Sequence, residues 1–219
     1  MKNTFLRIVH CPLSVVHWFA AFLIFGANIG CSNAGSSKGQ PSNTDSTMTT
    51  TTTSDTNKYL EKAYFAGGCF WGVQYYFEKA KGVVDTKVGY TGGHIDHPTY
   101  EQVCSHTTGH YEAIQVTYDN RITNYEAMAR LFFNIHDPTQ TNGQGPDIGE
   151  QYMSVIFYTD DSQKQTDEKL IGLLTAKGLK IATKLKPATT FWPAEEYHEH
   201  HYDREGTTPY CHKFQDKFN

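Results

Sequence analysis

The sequence predicts one α+β (α/β) domain over residues 58–219, built as a two-layer sandwich around a mixed sheet. Two observations predict this fold class. Strand and helix patterns alternate along these residues with no run of hairpins, which is typical of helices packed on a sheet. Residues 58–219 are also numerous enough to bury roughly two-thirds of their unfolded surface in one core. We therefore expect a single compact domain.

The charge balance argues against a nucleic-acid partner. The chain has 19 Lys and Arg residues against 23 Asp and Glu residues, which gives a formal net charge of −4 at pH 7. Phosphate binding needs a basic face whose cations displace the counterions of the nucleic acid. We therefore expect no nucleic-acid binding.

Residues 1–31 have the order of a secretory signal peptide. Lys2 and Arg7 precede an uncharged, largely apolar stretch that runs to Gly30. Gly30-Cys31 resembles the end of a bacterial lipobox, so Cys31 is expected to be lipidated. An ordinary cleavage site at Ser32-Asn33-Ala34 and an uncleaved anchor are the alternatives, since ~20 apolar residues can span a bilayer. We expect an exported protein of the cell envelope or periplasm, anchored to the membrane as a lipoprotein.

Residues 32–57 are almost entirely small and polar and include the run Thr49-Thr50-Thr51-Thr52-Thr53. Without aromatic residues this segment cannot bury enough surface to offset the entropy of ordering. It is predicted to be a disordered linker that lets the domain work away from the membrane.

Three strands and one helix are predicted between residues 62 and 118. A short strand over 62–66 ends at Gly67-Gly68, after which apolar residues recur at helical spacing until Gly82. Strands over 83–89 and 111–118 flank a Gly- and Pro-rich loop at 90–98. Alternation in the second of these strands places Glu112 on the same face as Ile114 and Val116.

Two helices and two strands are predicted after residue 118. Thr123 and Glu126 have the spacing of a capping box, so a helix is expected from there to Asp137-Pro138. A loop at 143–149 and a strand over 152–158 follow. A helix over 161–177 ends at Gly178, and a last strand covers 179–185. The residues that this helix is expected to bury are Leu170, Ile171, Leu173 and Leu174.

The cysteines point to thiol chemistry. Two of the five lie in the N-terminal segment, so the domain holds Cys69, Cys104 and Cys211, an odd number for a disulfide framework. No Cys-x-x-Cys pair is present to hold zinc or an iron–sulfur cluster. Cys69 falls between the first strand and the first helix, where the N–H groups of a helix N-terminus lower a thiol pKa. We therefore expect Cys69 to be a nucleophile.

The segment Gly68-Cys69-Phe70-Trp71-Gly72 resembles the signature of the A-type peptide methionine sulfoxide reductases. Further segments resemble this family in order and spacing, at 88–93, 98–104, 108–112, 136–140 and 151–152. The resemblance implies one catalytic domain that reduces methionine S-sulfoxide, free and in proteins, and so repairs oxidised proteins. It implies no cofactor.

The resemblance also implies roles for the site residues. Cys69 attacks the sulfoxide sulfur, Glu112 supplies the proton, and the hydroxyl groups of Tyr100 and Tyr152 hold the oxygen. Desolvation on an apolar strand face is expected to raise the pKa of Glu112 toward the working pH.

Substrate binding is implied for three more residues. Phe70 and Trp71 would form the apolar wall that receives the methyl group of the substrate. Asp147 would order the pocket. The expected substrates are oxidised proteins or peptides and free methionine sulfoxide.

Recycling needs a second thiol, because attack leaves Cys69 as a sulfenic acid. By resemblance this thiol is Cys211, near the C-terminus, and a thioredoxin-like reductant would then reduce the Cys69–Cys211 disulfide. We expect the protein to be a monomer.

Two other functions are compatible with the sequence. His198 and His201, three residues apart beside several carboxylates, suggest a metal-binding or metal-dependent hydrolytic domain. No His-Glu-x-x-His motif accompanies them, and a solvated polar helix explains the same residues. The other alternative is a tethered module that binds methionine-containing peptides without turnover.

Overall fold

The computed structural model describes residues 57–219 of the chain. The predicted signal peptide (1–31) and the predicted linker up to residue 56 lie outside the described residues. Asn57–Tyr59 forms a 3₁₀ turn that leads directly into the first strand. Within residues 57–219, no helix combines the length and the apolar character that crossing a membrane requires.

One mixed sheet of six strands forms the centre of the domain. The described residues form eight strands, of which β4 and β5 lie outside this sheet. In chain order they are β1 (Leu60–Ala66), β2 (Val83–Thr91), β3 (Tyr111–Asp119), β4 (Gly143–Gln144), β5 (Asp147–Ile148), β6 (Val155–Tyr158), β7 (Lys184–Pro187) and β8 (Trp192–Pro193). The order across the sheet is β7-β6-β1-β3-β2-β8, with β6 and β7 parallel and the other neighbours antiparallel. β4 and β5 form a separate hairpin. The predicted mixed sheet is confirmed.

Helices cover one face of this sheet. The α-helices of the described residues are α1 (Phe70–Phe77), α2 (Tyr100–Cys104), α3 (Tyr125–Ile135), α4 (Asp161–Ala176) and α5 (His201–Glu205). Phe65 of β1 stacks on Phe77 of α1 and Phe132 of α3, with ring centroids 5.2 and 5.0 Å apart. This core joins the helix layer to the sheet, so the predicted two-layer α+β architecture is confirmed.

A smaller apolar cluster lies on the other face. Ala66, Ala113, Val155 and Phe157 are buried there, and Phe191 packs against them. Ala188 and Phe191, which follow β7, therefore cover part of this face.

The capping-box prediction at Thr123 is wrong by one residue. The side chain of Asn124 caps α3 by accepting a hydrogen bond from the Ala127 N–H. A capping box is instead formed by Thr99 and Gln102 at the start of α2, a helix that the sequence patterns did not predict. A helix of five residues is too short to show a hydrophobic period.

Two features of the C-terminal half also differ from the sequence prediction: the extent of the last strand and the residues that α4 buries. The last long strand is confined to β7, because the Ala182 N–H bonds the Pro138 carbonyl at 2.7 Å and holds the preceding residues as a loop. The helix α4 buries Leu170 and Leu174, whereas Leu173 is 42% exposed. Gly178, with φ +91°, follows the end of this helix as predicted.

Candidate active site

The turn between β1 and α1 holds Cys69 at the edge of the core. Gly68 has φ +97°, which an L-residue resists, and lets the chain reverse from the strand into the helix. Cys69 is the N-cap of α1, and its carbonyl accepts a hydrogen bond from the Gly72 N–H at 3.0 Å. Its side chain is only 5% exposed, and its sulfur accepts a hydrogen bond from the Trp71 N–H. The predicted strand-to-helix placement of Cys69 is confirmed.

The pKa of Cys69 does not follow the sequence-based expectation. Burial, the largest cause, raises it well above its usual value, and the charge of Glu112 raises it further. The Trp71 N–H lowers the pKa but does not compensate. The reason is one of magnitude, since a helix terminus contributes roughly 1 kcal/mol whereas full burial shifts a pKa by several units. In the free enzyme Cys69 is therefore a thiol.

Glu112 of β3 lies beside this turn and is 1% exposed. Its Oε2 atom accepts a hydrogen bond from the Phe70 N–H at 3.1 Å. Burial raises the pKa of Glu112 to about 8, although the bond from Phe70 opposes the shift. The upward shift is the one predicted from the sequence, and at neutral pH it favours the protonated carboxyl group.

Tyr100 and Tyr152 bring two hydroxyl groups to the same pocket. Both side chains are buried, and they are hydrogen-bonded to each other. Burial, followed by the charge of Glu112, raises the pKa of each tyrosine far above its usual value. Both hydroxyl groups therefore stay protonated and can donate hydrogen bonds.

An aromatic wall closes one side of the pocket. Phe70 is fully buried, with its ring 5.0 Å from that of His198 and 5.9 Å from that of Tyr90. Trp71 stacks on His201 at 3.7 Å, and its Nε1–H donates to Nδ1 of His198 at 3.2 Å. The predicted apolar residues thus line one continuous aromatic surface.

The rings of His198 and His201 pack against Phe70 and Trp71 in this aromatic wall. Burial lowers the pKa of His198 to about 4, and one of its ring nitrogens is taken by Trp71. Among residues 57–219, no three His, Cys, Asp or Glu side chains converge as metal ligands would. The arrangement gives no support to the metal-binding alternative.

Glu195 is a site residue that sequence reasoning missed. Its carboxylate accepts hydrogen bonds from the Tyr90 hydroxyl and the Tyr100 N–H, each at 2.9 Å. It therefore fixes the start of α2, and with it the position of Tyr100. No local signal identifies it, because its partners lie about a hundred residues away.

The C-terminal segment brings Cys211 to the Cys69 turn. Tyr210 donates its hydroxyl hydrogen bond to both carboxylate oxygens of Asp147 at 3.0 Å, and Asp147 also bonds the thiol of Cys211. Cys69 and Cys211 both carry free thiols. The next residue, His212, lies 2.7 Å from the Gly67 carbonyl through its Nε2 atom, so the segment of Cys211 packs against the segment of Cys69. Burial raises the pKa of Cys211 itself to about 12.

His212 is a second residue that sequence reasoning missed. It is buried between this segment and the Cys69 turn, with a hydrogen bond to the Gly67 carbonyl. The sequence feature that could have identified His212 is its position directly after Cys211.

Comparisons with known proteins agree with this geometry. The peptide methionine sulfoxide reductase family model matches residues 61–218. The MsrA of Saccharolobus solfataricus is 44% identical over 153 residues, which cover 69% of this chain and 86% of that protein. The MsrA of Geobacter sulfurreducens is 48% identical over 153 residues, covering 68% of this chain and 94% of that protein.

Solved structures show the same fold. Reduced Mxr1 from Saccharomyces cerevisiae superposes with a TM-score of 0.67 and 33% identity, over 72% of this chain and 93% of that chain. Methionine sulfoxide reductase A of Corynebacterium diphtheriae gives a TM-score of 0.61 and 32% identity, over 68% of this chain and 76% of that chain. The family model covers most of the described residues and contains both free thiols and Glu112. This chain therefore belongs to the A-type peptide methionine sulfoxide reductases, oxidoreductases that return oxidised methionine to methionine.

Proposed function

We propose that this chain reduces the S epimer of methionine sulfoxide, free and in proteins, through a Cys69 sulfenic acid and a Cys69–Cys211 disulfide. The observation that carries the proposal is the carboxyl group of Glu112, buried beside the Cys69 turn and bonded to the Phe70 N–H at 3.1 Å, where burial raises its pKa to about 8. A sulfoxide sulfur becomes electrophilic only when its oxygen receives a proton or strong hydrogen bonds. The site holds a nucleophile and an acid in one pocket.

In the first step Cys69 releases its proton to solvent and the resulting thiolate attacks the sulfoxide sulfur, while Glu112 donates its proton to the oxygen and is then reprotonated from solvent. The adduct releases methionine and leaves the oxygen on Cys69 as a sulfenic acid. The sulfoxide gains two electrons and the cysteine sulfur loses two. A protonated Glu112 no longer opposes ionisation of Cys69 by its charge, so the acid form of Glu112 also favours the thiolate.

Three groups of side chains orient the substrate. The hydroxyl groups of Tyr100 and Tyr152 donate to the sulfoxide oxygen, where negative charge develops. Phe70 and Trp71 hold the methyl group against the aromatic wall. Asp147 keeps the C-terminal segment over the pocket through its bonds to Tyr210 and Cys211.

In the second step the sulfur of Cys211 displaces the hydroxyl group of Cys69, which leaves as water, and a disulfide forms. A thioredoxin-like dithiol then reduces this disulfide by thiol–disulfide exchange and restores both thiols. The half-buried position of Cys211 supports its role as the sulfur that the reductant reaches. We propose that the protein works as a monomer.

The test uses the full chain with the separated S and R epimers of free and peptide methionine sulfoxide, and dithiothreitol as reductant. We expect reduction of the S epimer only, unchanged by a chelator and lost in Cys69→Ser. Loss of activity with the chelator would instead support the metal-dependent alternative. Binding of the sulfoxide without methionine production would support a binding module.

We also propose that the protein is exported and tethered to the membrane by a lipid on Cys31. The support is the sequence order of basic residues, apolar stretch and Gly30-Cys31, followed by a polar linker. In cells, Cys31→Ala is expected to move the protein from the membrane fraction to the soluble fraction. If the variant stays in the membrane fraction, an uncleaved N-terminal helix is the anchor.

A further inference from the structure

His212 is 4% exposed and lies between the C-terminal segment and the Cys69 turn. Its Nε2 atom is 2.7 Å from the carbonyl oxygen of Gly67. A carbonyl oxygen only accepts hydrogen bonds, so Nε2 carries the hydrogen. Burial lowers the pKa of His212 to about 4, so the ring is neutral at pH 7. Its Nδ1 atom is therefore an unprotonated acceptor.

That acceptor is aimed at a reacting atom. Nδ1 of His212 lies 3.0 Å from the sulfur of Cys211. Because Nδ1 has no hydrogen it can only accept, and it takes the single hydrogen of the Cys211 thiol when that hydrogen does not point to Asp147. A base within hydrogen-bond distance of a thiol, with its other nitrogen fixed by a carbonyl, is the arrangement that activates a cysteine nucleophile.

The sequence around Cys69 leaves room for this ring. A Cβ atom at Gly72 would overlap Nδ1 of His212, and one at Gly68 would lie 3.2 Å from its Cε1 atom. Both glycines belong to the segment that carries Cys69. The imidazole is thus packed against the turn that Cys211 must reach.

We propose that His212 is the catalytic base of disulfide formation, an inference that rests on the proposed function. It removes the proton from Cys211 as the sulfur of Cys211 attacks the Cys69 sulfenic acid. The S–S bond forms, the S–O bond of Cys69 breaks, and the proton leaves with the hydroxyl group as water. The ring is then neutral again, and no further oxidant or reductant is needed for this step.

Asp147 is the competing base, because its carboxylate also bonds the Cys211 thiol. Proton transfer to Asp147 would leave a thiolate beside an uncharged acid. Transfer to His212 leaves a thiolate beside an imidazolium, an opposite-charge pair that stabilises the ionised sulfur. The charge of Asp147 instead raises the pKa of Cys211. The charge pairing therefore favours His212, whose buried ring is a weak base in the resting enzyme and whose pKa rises beside a thiolate.

Other titratable groups also surround Cys211 and His212, and their charges enter any pH dependence. They come from the Cys69 turn, α1, β3, the end of α3, α5 and the C-terminal segment: Cys69, Tyr76, Glu112, His136, Tyr202 and Tyr210.

Two substitutions separate the role of His212 as a base, at Nδ1, from its hydrogen bond to Gly67, at Nε2. In His212→Gln the amide N–H can replace Nε2–H toward Gly67, but no base remains beside Cys211. In His212→Asn a polar atom stays near Cys211, but the bond to Gly67 is lost. Asp147→Asn tests the competing base, and His94→Gln, an exposed histidine on the loop after β2, is the matched control.

The experiment mixes one equivalent of methionine S-sulfoxide with each reduced full-length enzyme and omits reductant. It measures methionine release and, separately, loss of free thiols over time from about pH 5 to about pH 7. We expect a full methionine burst in His212→Gln, with disulfide formation slowed roughly 100-fold or more at pH 7. The rate in this variant should rise about tenfold per pH unit, because it depends on the thiolate fraction of Cys211. The wild type and His94→Gln should show little pH dependence.

Three results would overturn the inference. One is disulfide formation in His212→Gln at the wild-type rate. Another is slowing without the new pH dependence, which would give His212 only a structural role. The third is the new pH dependence in Asp147→Asn but not in His212→Gln, which would assign the base to Asp147. Absence of the methionine burst in the wild type would contradict the proposed function itself, so the two failures are distinguishable.

Discussion

The N–H of Phe70 donates a hydrogen bond to Oε2 of Glu112 across 3.1 Å. Phe70 is the first residue of α1, where a backbone N–H has no partner inside the helix. The carboxyl group of Glu112, the proposed proton donor, is thereby bonded to the residue that follows Cys69. The bond therefore holds the carboxyl group beside the Cys69 turn.

Glu112→Gln is expected to lower the rate of methionine release by roughly 100-fold or more, because the amide keeps the shape of the side chain but has no acidic proton. Single-turnover assays that measure methionine in the absence of reductant check this step directly. A fall in pH should restore part of the rate by supplying protons from solvent. A near-wild-type rate that does not change with pH would remove Glu112 from the mechanism.

The same substitution should change how stability depends on pH. The pKa of Glu112 is about 8 in the folded protein and 4.5 for the ordinary side chain, so between these values the folded chain binds more protons. The free energy of unfolding therefore decreases as the pH rises through this window, by on the order of a few kcal/mol. Denaturant unfolding at about pH 5 and about pH 8 should show a smaller decrease in Glu112→Gln. The exposed Glu205→Gln control should behave as the wild type.

Cys211→Ser should separate reduction of the substrate from recycling of the enzyme. One equivalent of methionine should still be released, since that step needs only Cys69, Glu112 and the tyrosine hydroxyl groups. Turnover with a thioredoxin-like donor should collapse, whereas excess dithiothreitol can still reduce the sulfenic acid. Mass spectrometry of the wild type after one turnover should show a Cys69–Cys211 link. A link to another cysteine would reassign the resolving residue.

Gly72→Ala tests the packing between α1 and the C-terminal segment. The new Cβ atom would overlap the ring of His212, so the segment must move away from Cys69. We expect disulfide formation to slow by about tenfold or more while the methionine burst is kept, as followed by thiol titration. Gly172→Ala is the matched control, because it lies in α4 with nothing within 4 Å of its Cβ position. That variant should recycle normally and gain roughly 1 kcal/mol of stability. Equal disulfide rates in the two variants would contradict the prediction.

A chain that starts at Lys58 should keep full activity with dithiothreitol, since a Ser- and Thr-rich segment sets reach and not site geometry. Within the described residues, the carbonyl of Tyr59 accepts a hydrogen bond from the Asn120 N–H at 2.9 Å, and this contact is kept in the truncated chain. The kcat and KM for a methionine sulfoxide peptide should match those of the full chain. A truncated chain that folds but is inactive would contradict the linker prediction.

Local patterns determined most of the fold. Alternation located β1, β3 and β6, and the apolar spacing after Cys69 located α1, because these elements carry their own periodicity. The same patterns failed where an element is short, as in α2, or where a loop is held by a remote contact, as at Ala182. Such elements are fixed by tertiary hydrogen bonds and not by their own residues.

By itself the sequence determined the family and its reaction, and it predicted the residues that carry the reaction, because Cys69, Glu112 and the aromatic neighbours of Cys69 stand in short, specific motifs. The tertiary structure decided their protonation. Burial shifts the pKa of Cys69 upward against the expected effect of the helix, and burial cannot be read from adjacent residues. The tertiary structure also decided the hydrogen bond between His212 and the Gly67 carbonyl, which lie 145 residues apart in the chain. Long-range contacts of this kind form only when the sheet brings distant segments to one edge.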